Sequence, residues 1–344
     1  MKRSTLMGIG IVALATGSVA IADMADVYLP LFLAPPLRKR IEDPDKPASK
    51  EKIDLGRMLY FEPRLSLGQN ISCNTCHPLD KYGADGKKTS PGHKGQLGTR
   101  NSPTVYNTAG HFKQFWDYRA DTVEDQATKP VLNPVEMAMP DEKYVLQVLK
   151  SIPGYVDAFK KAFPQDAEPV TYENVGNAIG AFERGLTTPA PWDKYLDGDK
   201  SAMTSEQVQG FNDFLGALCM TCHMGRNVGG AMPQKLGVVL PWPNQNDKGR
   251  FEVTKNPAEA MFFKVPSLRN IAKTAPYFHD GSQDSLEEAV KMMAKHQSGL
   301  PLSDEKVKSI VAFLNALTGE LPQDYIKAPV LPPGGPNTPK PKLD

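Results

Sequence analysis

Beyond its N-terminus the sequence has no run of about 18 uncharged apolar residues, which excludes a polytopic membrane protein. Net charge is almost absent, with 40 Lys+Arg against 39 Asp+Glu for a formal +1. No basic block stands out, so nucleic-acid binding has no electrostatic support. Alternating apolar–polar stretches of the strand kind are scarce. Cysteine is scarce as well, four in 344 residues. What is present is 40% hydrophobic content, enough for two ordinary domains with a core each.

Residues 1–22 read as a secretory signal. Lys2 and Arg3 form a charged start, Leu6 to Ala15 an apolar stretch, and Ala20-Ile21-Ala22 an A-x-A site that predicts a new N-terminus at Asp23. Retention as an uncleaved anchor is the alternative, but Gly8, Gly10 and Gly17 break the apolar stretch. The expected location is the periplasm.

Four cysteines in an exported chain would ordinarily suggest disulfides. Here they fall into two copies of one pattern, Cys73-Asn74-Thr75-Cys76-His77 and Cys219-Met220-Thr221-Cys222-His223. C-x-x-C-H is the attachment signature of c-type haem. On a helix, positions i, i+3 and i+4 share a face, so two thiols can join the haem vinyl groups while the imidazole reaches the iron. A zinc site would place its C-x-x-C pairs roughly 15–20 residues apart, and these pairs are far more distant. A thioredoxin-like dithiol needs a βαβ context that the sequence does not offer. Two covalent haems are expected, with His77 and His223 as proximal ligands. Of the other histidines, His93, His111, His279 and His296, and the 13 methionines, some supply or withhold the sixth ligands.

The pattern of apolar residues is helical. Leu55, Met58 and Leu59 precede the first motif at helical spacing, and residues 141–150 and 171–185 are further helices, with Val175, Ile179 and Phe182 on one face. Thr204 with Gln207 forms a capping box for a helix running through Phe211, Phe214, Leu215 and Leu218 into the second motif. Ser285 with Glu288 is a second box, opening a helix that carries Met292 and Met293. Val307, Ile310, Val311, Leu314 and Leu317 mark a last helix, ended by Gly319. Pro189, Pro191 and Asp197-Gly198-Asp199 suggest a boundary near residues 187–200. The expected architecture is all-α with very little β structure, as two cytochrome-like domains, residues 23–187 and 188–325. A proline-rich tail, residues 326–344, is either disordered or laid along the surface.

At this point the sequence resembles the bacterial dihaem cytochrome c peroxidases, with the MauG-type enzymes as relatives. The resemblance covers nearly the whole exported chain. It rests on both C-x-x-C-H motifs, Gly98-Thr99-Arg100-Asn101-Ser102-Pro103-Thr104, Phe115-Trp116-Asp117, Asn133-Pro134-Val135-Glu136-Met137 and Ala275-Pro276-Tyr277-Phe278-His279-Asp280-Gly281. One departure is Tyr118 before Arg119, where the family usually has glycine; it is expected to affect local backbone geometry only.

The resemblance implies a low-potential peroxidatic haem on Cys73, Cys76 and His77, and a high-potential electron-accepting haem on Cys219, Cys222 and His223. His93 matches the distal ligand that leaves the first iron once the other haem is reduced, and the glycines around it suggest a loop with little packing. Glu136 matches the distal acid/base, and Gln126 a residue that orients peroxide, although it could equally lie on a helix surface. Trp116 matches a tryptophan between the haems, a conduit or simply core. Met293 matches the distal ligand of the second haem; the rivals are the adjacent Met292 and, one turn on, His296, which helical phase does not separate from Met293. Asn101, Thr274 and Pro276 match a calcium site between the domains. His279 matches a position near the second haem, and His111 is expected to be structural or exposed.

The function implied is reduction of hydrogen peroxide to water with electrons from a small cytochrome c or blue-copper protein, by a homodimeric periplasmic enzyme. Two other readings stay open: MauG-like oxidation of a protein side chain, and a non-enzymatic dihaem electron carrier.

Overall fold

Side-chain caps set where most helices begin. The computed structural model describes residues 24–33, 40–43 and 47–342, so the expected signal segment lies outside the described residues. Helix α1 is Met24–Tyr28. Ser49 opens α2, Lys50–Tyr60; α3 is the single turn Cys73–Cys76. Thr122, Asp141 and Thr171 accept the free N–H groups at the starts of α4 (Val123–Leu132), α5 (Glu142–Lys150) and α7 (Tyr172–Glu183). Proline at the first position starts α6 (Pro153–Ala162) and α8 (Pro191–Leu196). Then follow α9 (Ser205–Gly216), α10 (Phe251–Thr254), α11 (Leu286–Met293) and α12 (Asp304–Ala316). Among the described residues the only sheet is a short antiparallel pair, β1 (Pro233–Lys235) and β2 (Phe262–Lys264). The fold is all-α, as the sequence implied.

Two apolar cores form, each around the helix that precedes a motif. In the first, Leu55, Leu59 and Tyr60 of α2 meet Val175, Ile179 and Phe182 of α7. In the second, Phe211 and Phe214 of α9 meet Ile310, Phe313 and Leu314 of α12, with Trp192 of α8. The same device closes both crossings. A Cβ on Gly56 would lie 1.8 Å from the Ala178 carbonyl oxygen and 3.0 Å from Phe182 Cβ; on Gly210, 1.9 Å from the Ser309 carbonyl oxygen and 3.0 Å from Phe313 Cβ. Each glycine thus lets two helices touch backbone to side, and the residue four positions on supplies an aromatic ring to the contact.

The chain ends cross over between the cores. Ala25 and Phe32 are buried in the second, whereas Tyr325 and Ile326 pack on the first. The proline-rich tail lies along the surface as extended chain, not as loose coil. Its anchors are Arg64 Nη2 to the Pro332 carbonyl (2.8 Å), Gln69 Nε2 to the Pro339 carbonyl (2.7 Å) and the Lys342 N–H to the Leu67 carbonyl (2.9 Å).

Three local expectations differ from the structure. Helix α9 stops at Gly216 because Leu218 adopts φ 63°, so the second motif forms a separate 3₁₀ turn, Cys219–Thr221. Ser285 caps α11 by accepting the Glu288 N–H, but Glu288 bonds Lys291 instead of reaching back. Gly319 does not terminate α12, which ends at Ala316; it packs on Thr188, whose carbonyl oxygen a Cβ would meet at 2.2 Å. Gly56→Ala and Gly210→Ala are each expected to cost about 1–3 kcal/mol by overpacking. Chemical denaturation of the holoprotein measures this, and unchanged midpoints would mean that the crossings can relax.

Candidate active site

Both motifs open onto one cavity of about 820 Å³, lined by all four cysteines and by His77 and His223. No described cysteine is in a disulfide. Burial pushes the Cys73 thiol far above its ordinary value and Cys219 up to about 12, so without a bound group both are neutral thiols. The His77 Nδ1 lies 3.1 Å from the Gly83 carbonyl oxygen and the His223 Nδ1 3.3 Å from that of Val228. A carbonyl only accepts, so each Nδ1 carries the proton and Nε2 is the nitrogen available to a metal. Burial lowers both imidazoles, His223 to about 4, which keeps them neutral as ligands must be. The residues present therefore fit two covalently held haems.

Around the first motif the cavity is lined by Glu136, Gln126 and, unexpectedly, Glu183. Glu136 sits at the end of the Asn133-Pro134-Val135 turn, where Asn133 Nδ2 donates to its Oε1 at 2.8 Å. Burial raises its carboxyl above the usual range, with Arg119 and the Asn133 bond pulling the other way. His93 does not line this cavity. It is 7% exposed, its backbone N–H bonds the Glu136 carbonyl at 2.8 Å, and its Nδ1 has no partner. The expected lack of packing applies to the next residues, since Cβ atoms at Gly95 and Gly98 would meet nothing within 4 Å. Gly92, by contrast, is wedged against the Val135 carbonyl.

Around the second motif the three rival ligands separate. Met293 lines the cavity. Met292 faces Gln283, whose Nε2 lies 3.9 Å from its sulfur, and His296 directs Nδ1 to the Leu240 carbonyl at 3.2 Å, its ring against Trp242. A π-helical turn, Ala294–Ser298, follows Met293 directly and changes the phase on which the sequence reading depended.

A seam of loops joins the two halves. Trp116 lines the cavity, and its Nε1 donates to the Asn101 carbonyl at 3.0 Å. Asn101 in turn donates its N–H to the His279 carbonyl, which brings it alongside Pro276 and Thr274 on the cavity wall. Among the described residues no group of three or more His, Cys, Asp and Glu side chains is gathered for a metal; a cation here would rest on carbonyls, the Asn101 amide and water. Arg100 binds Asp117 (2.5 Å) and Asp247 (2.6 Å), tying the halves together. Tyr118, the departure from the family pattern, has φ 45°, a region that favours glycine; Arg250 covers its ring at 4.7 Å. His111 is not exposed. It lines the cavity with Lys264 Nζ 3.3 Å from its Nδ1.

Glu183 and Lys264 were legible in part. Glu183 stands four residues after Ile179 on the apolar face of α7, and Lys264 interrupts the apolar run Phe262-Phe263-Lys264-Val265.

Helical halves, each with a histidine-bearing motif on a shared cavity, define a di-haem protein, and comparisons with known proteins agree. The family model for di-haem cytochrome c peroxidase matches residues 50–201. The chain is 45% identical over 296 residues to a cytochrome c551 peroxidase of Nitrosomonas europaea, covering 86% of this chain and 87% of that one. It is 41% identical over 350 residues to the cytochrome c551 peroxidase of Pseudomonas aeruginosa, covering 99% of both. It is 34% identical to a MauG of Methylorubrum extorquens over 80% of each. A solved MauG-like protein associated with microbial copper homeostasis superposes with TM-score 0.74 at 28% identity, over 86% of this chain and 98% of that one. The chain belongs to the di-haem cytochrome c peroxidase family.

Burial, with the nearby charge of Glu124, raises Glu183 to about 8, partly offset by Arg184. The folded protein therefore holds this proton more tightly than the unfolded chain. Its contribution to stability is full below the ordinary glutamate range and is lost as pH rises through about 8. Unfolding midpoints of the holoprotein are expected to fall from pH 6 to pH 9, and Glu183→Gln to flatten that fall; identical slopes would place Glu183 in a wetter site.

Proposed function

We propose that the protein reduces hydrogen peroxide to two waters, taking two electrons from a small soluble carrier and two protons. The observation that carries this reading is the asymmetry of the cavity: Glu136 and Gln126 line it with the first motif, and Met293 lines it with the second. Haem bound at His77 and His223 would store the electrons and activate the peroxide O–O bond.

The chain supplies the rest. Gln126 orients peroxide by hydrogen bonding. Glu136, desolvated and held by Asn133, takes the proton from the near oxygen and returns it to the oxygen that leaves as water. Its raised pKa brings its proton exchange closer to neutral pH. With haem held at His223, a thioether ligand from Met293 would raise the potential of the accepting site. Trp116, fixed by Asn101, carries electrons between the halves.

His93 is the residue that opens and closes the first site. With His93 away from the cavity, the first site would be open to peroxide. Gly95 and Gly98, free of packing, give the segment room to bring it back. The carrier docks at the exposed apolar surface of Val238, Val239 and Leu240, where Val238 lines the cavity and the next two N–H groups bind the His296 carbonyl. Calcium at Asn101, Thr274 and Pro276 fixes the seam. A periplasmic location and a homodimer complete the reading; among the described residues no helix is long and apolar enough to cross a membrane.

The test is steady-state oxidation of a reduced small cytochrome c by peroxide, with enzyme either fully oxidised or reduced by one electron in calcium. Fast turnover only after reduction is expected. Equal turnover in both states would discard the His93 gate, and none in either would discard the peroxidase reading. Glu136→Ala is expected to keep both haems and lower kcat by about 10²–10⁴-fold. Because the base must be deprotonated, wild-type kcat should fall with decreasing pH through a carboxyl pKa above the ordinary range. Glu136→Gln should abolish that limb, and near-normal turnover in either variant would remove Glu136 from the mechanism.

A further inference from the structure

The charges along the seam do not balance. Asp117 is shared between Arg100 (2.5 Å) and Arg119 (2.8 Å), and Asp247 is taken by Arg100. Lys264 remains. It is 7% exposed, and among the described residues it forms no ion pair. Its backbone is fixed on β2, opposite Pro233, and its N–H bonds the Trp116 carbonyl at 2.7 Å. The side chain therefore cannot swing out to solvent without breaking the seam.

The one polar contact of the ammonium is His111, whose Nδ1 lies 3.3 Å from Nζ. An ammonium only donates, so Nδ1 accepts and the His111 proton is on Nε2. That Nε2 is buried and has no partner. Burial and the charge of Lys264 hold His111 well below the usual imidazole range, so it is neutral and offers the ammonium no compensating charge. Burial also brings Lys264 down to about 8, while Asp117, its charge already divided between two guanidiniums, pulls the other way. Gly230 closes the far side of the imidazole, where a Cβ would lie 2.3 Å from its Cδ2, and it brings no acceptor.

Two buried donors are thus left in the wall of the cavity that both residues line, one charged and one neutral. A buried ammonium without a counter-ion and a buried N–H without an acceptor are each costly. A carboxylate reaching the cavity supplies the counter-charge that the ammonium lacks. Haem carries two such groups at its edge. The next residues of the strand point to which haem, because the carbonyl of Pro266 borders the His223 ring.

We propose that Lys264, backed by neutral His111, is the binding site for a haem carboxylate at the second motif. This rests on the reading that haem is held at His223. It adds a positioning role: the pair sets the tilt and charge environment of the electron-accepting haem, next to the Trp116 backbone.

The experiment is spectroelectrochemical titration of both haems in the holoprotein, comparing wild type with Lys264→Met and Lys264→Arg. Methionine keeps the length of the stem and removes the charge. A cation beside the haem favours the reduced iron, which carries one positive charge fewer. The second haem's midpoint potential is therefore expected to fall in Lys264→Met, to be retained in Lys264→Arg, and to move more than that of the first. An unchanged potential in Lys264→Met overturns the proposal, and a shift confined to the first haem overturns its assignment to the second. Should Lys264→Met not accumulate with two haems, Lys264→Gln takes its place against Lys264→Arg; equal potentials in that pair overturn the proposal. The potential is read without turnover, so failure of the peroxidase reading would leave this result standing. Failure of haem attachment would show separately in the absorption spectrum.

Discussion

Two glycine contacts carry the architecture. Gly56 lies against the Ala178 carbonyl and Gly210 against the Ser309 carbonyl, at distances no side chain could share. Each contact sets how closely the helix before a motif approaches a later helix. That approach sets Tyr60 edge-on to Phe182 in one half, at 5.4 Å, and Phe214 tilted against Phe313 in the other, at 5.3 Å. With those helices fixed, the motif that follows each of them has a floor to rest on. The thiols and imidazole of each one-turn segment then face a cavity instead of a packed interior.

The duplicated scaffold hosts two unlike sites, and the difference lies in what each half adds to the cavity. The first half contributes carboxyl and amide groups, Glu136, Gln126 and Glu183, whose raised carboxyl pKa values come from burial. The two carboxyls can exchange protons, and the Gln126 amide can hydrogen-bond. The second half contributes a neutral thioether, Met293, and a buried ammonium, Lys264. Between them the Arg100–Asp117–Asp247 bridge and Trp116 keep the sites in register. On the proposed reading, a proton-handling site is joined to an electron-accepting site, the division of labour that peroxide reduction requires.

Much of this was legible because it is local. Two C-x-x-C-H motifs, the Thr204–Gln207 box and the apolar faces of α7 and α12 depend on neighbours a few residues apart. Other features depended on the fold. Met293 and His296 share a helical face in the sequence, and only the π-turn after Met293 and the Leu240 carbonyl opposite His296 separate them. His93 reads as a loose loop residue from its glycines, yet Gly92 wedges against Val135 and carries His93 under cover. Leu218 has helical spacing, but its left-handed backbone ends the helix early. Gly319 looks like a helix terminator and is instead a contact with Thr188 across the core. The proposed calcium ligands are largely carbonyls, which no side-chain pattern can advertise. Lys264 and His111 are 153 positions apart, so their pairing has no sequence signature.

On the proposed reading, one shared cavity serves two unlike irons, one opening to ligand and one closed by Met293. Cyanide titration of the holoprotein after reduction by one electron, followed spectroscopically, tests it most directly. The account predicts one cyanide bound per chain, at the haem held by His77, with the haem held by His223 unaffected. Binding at neither haem, or at both, would contradict it.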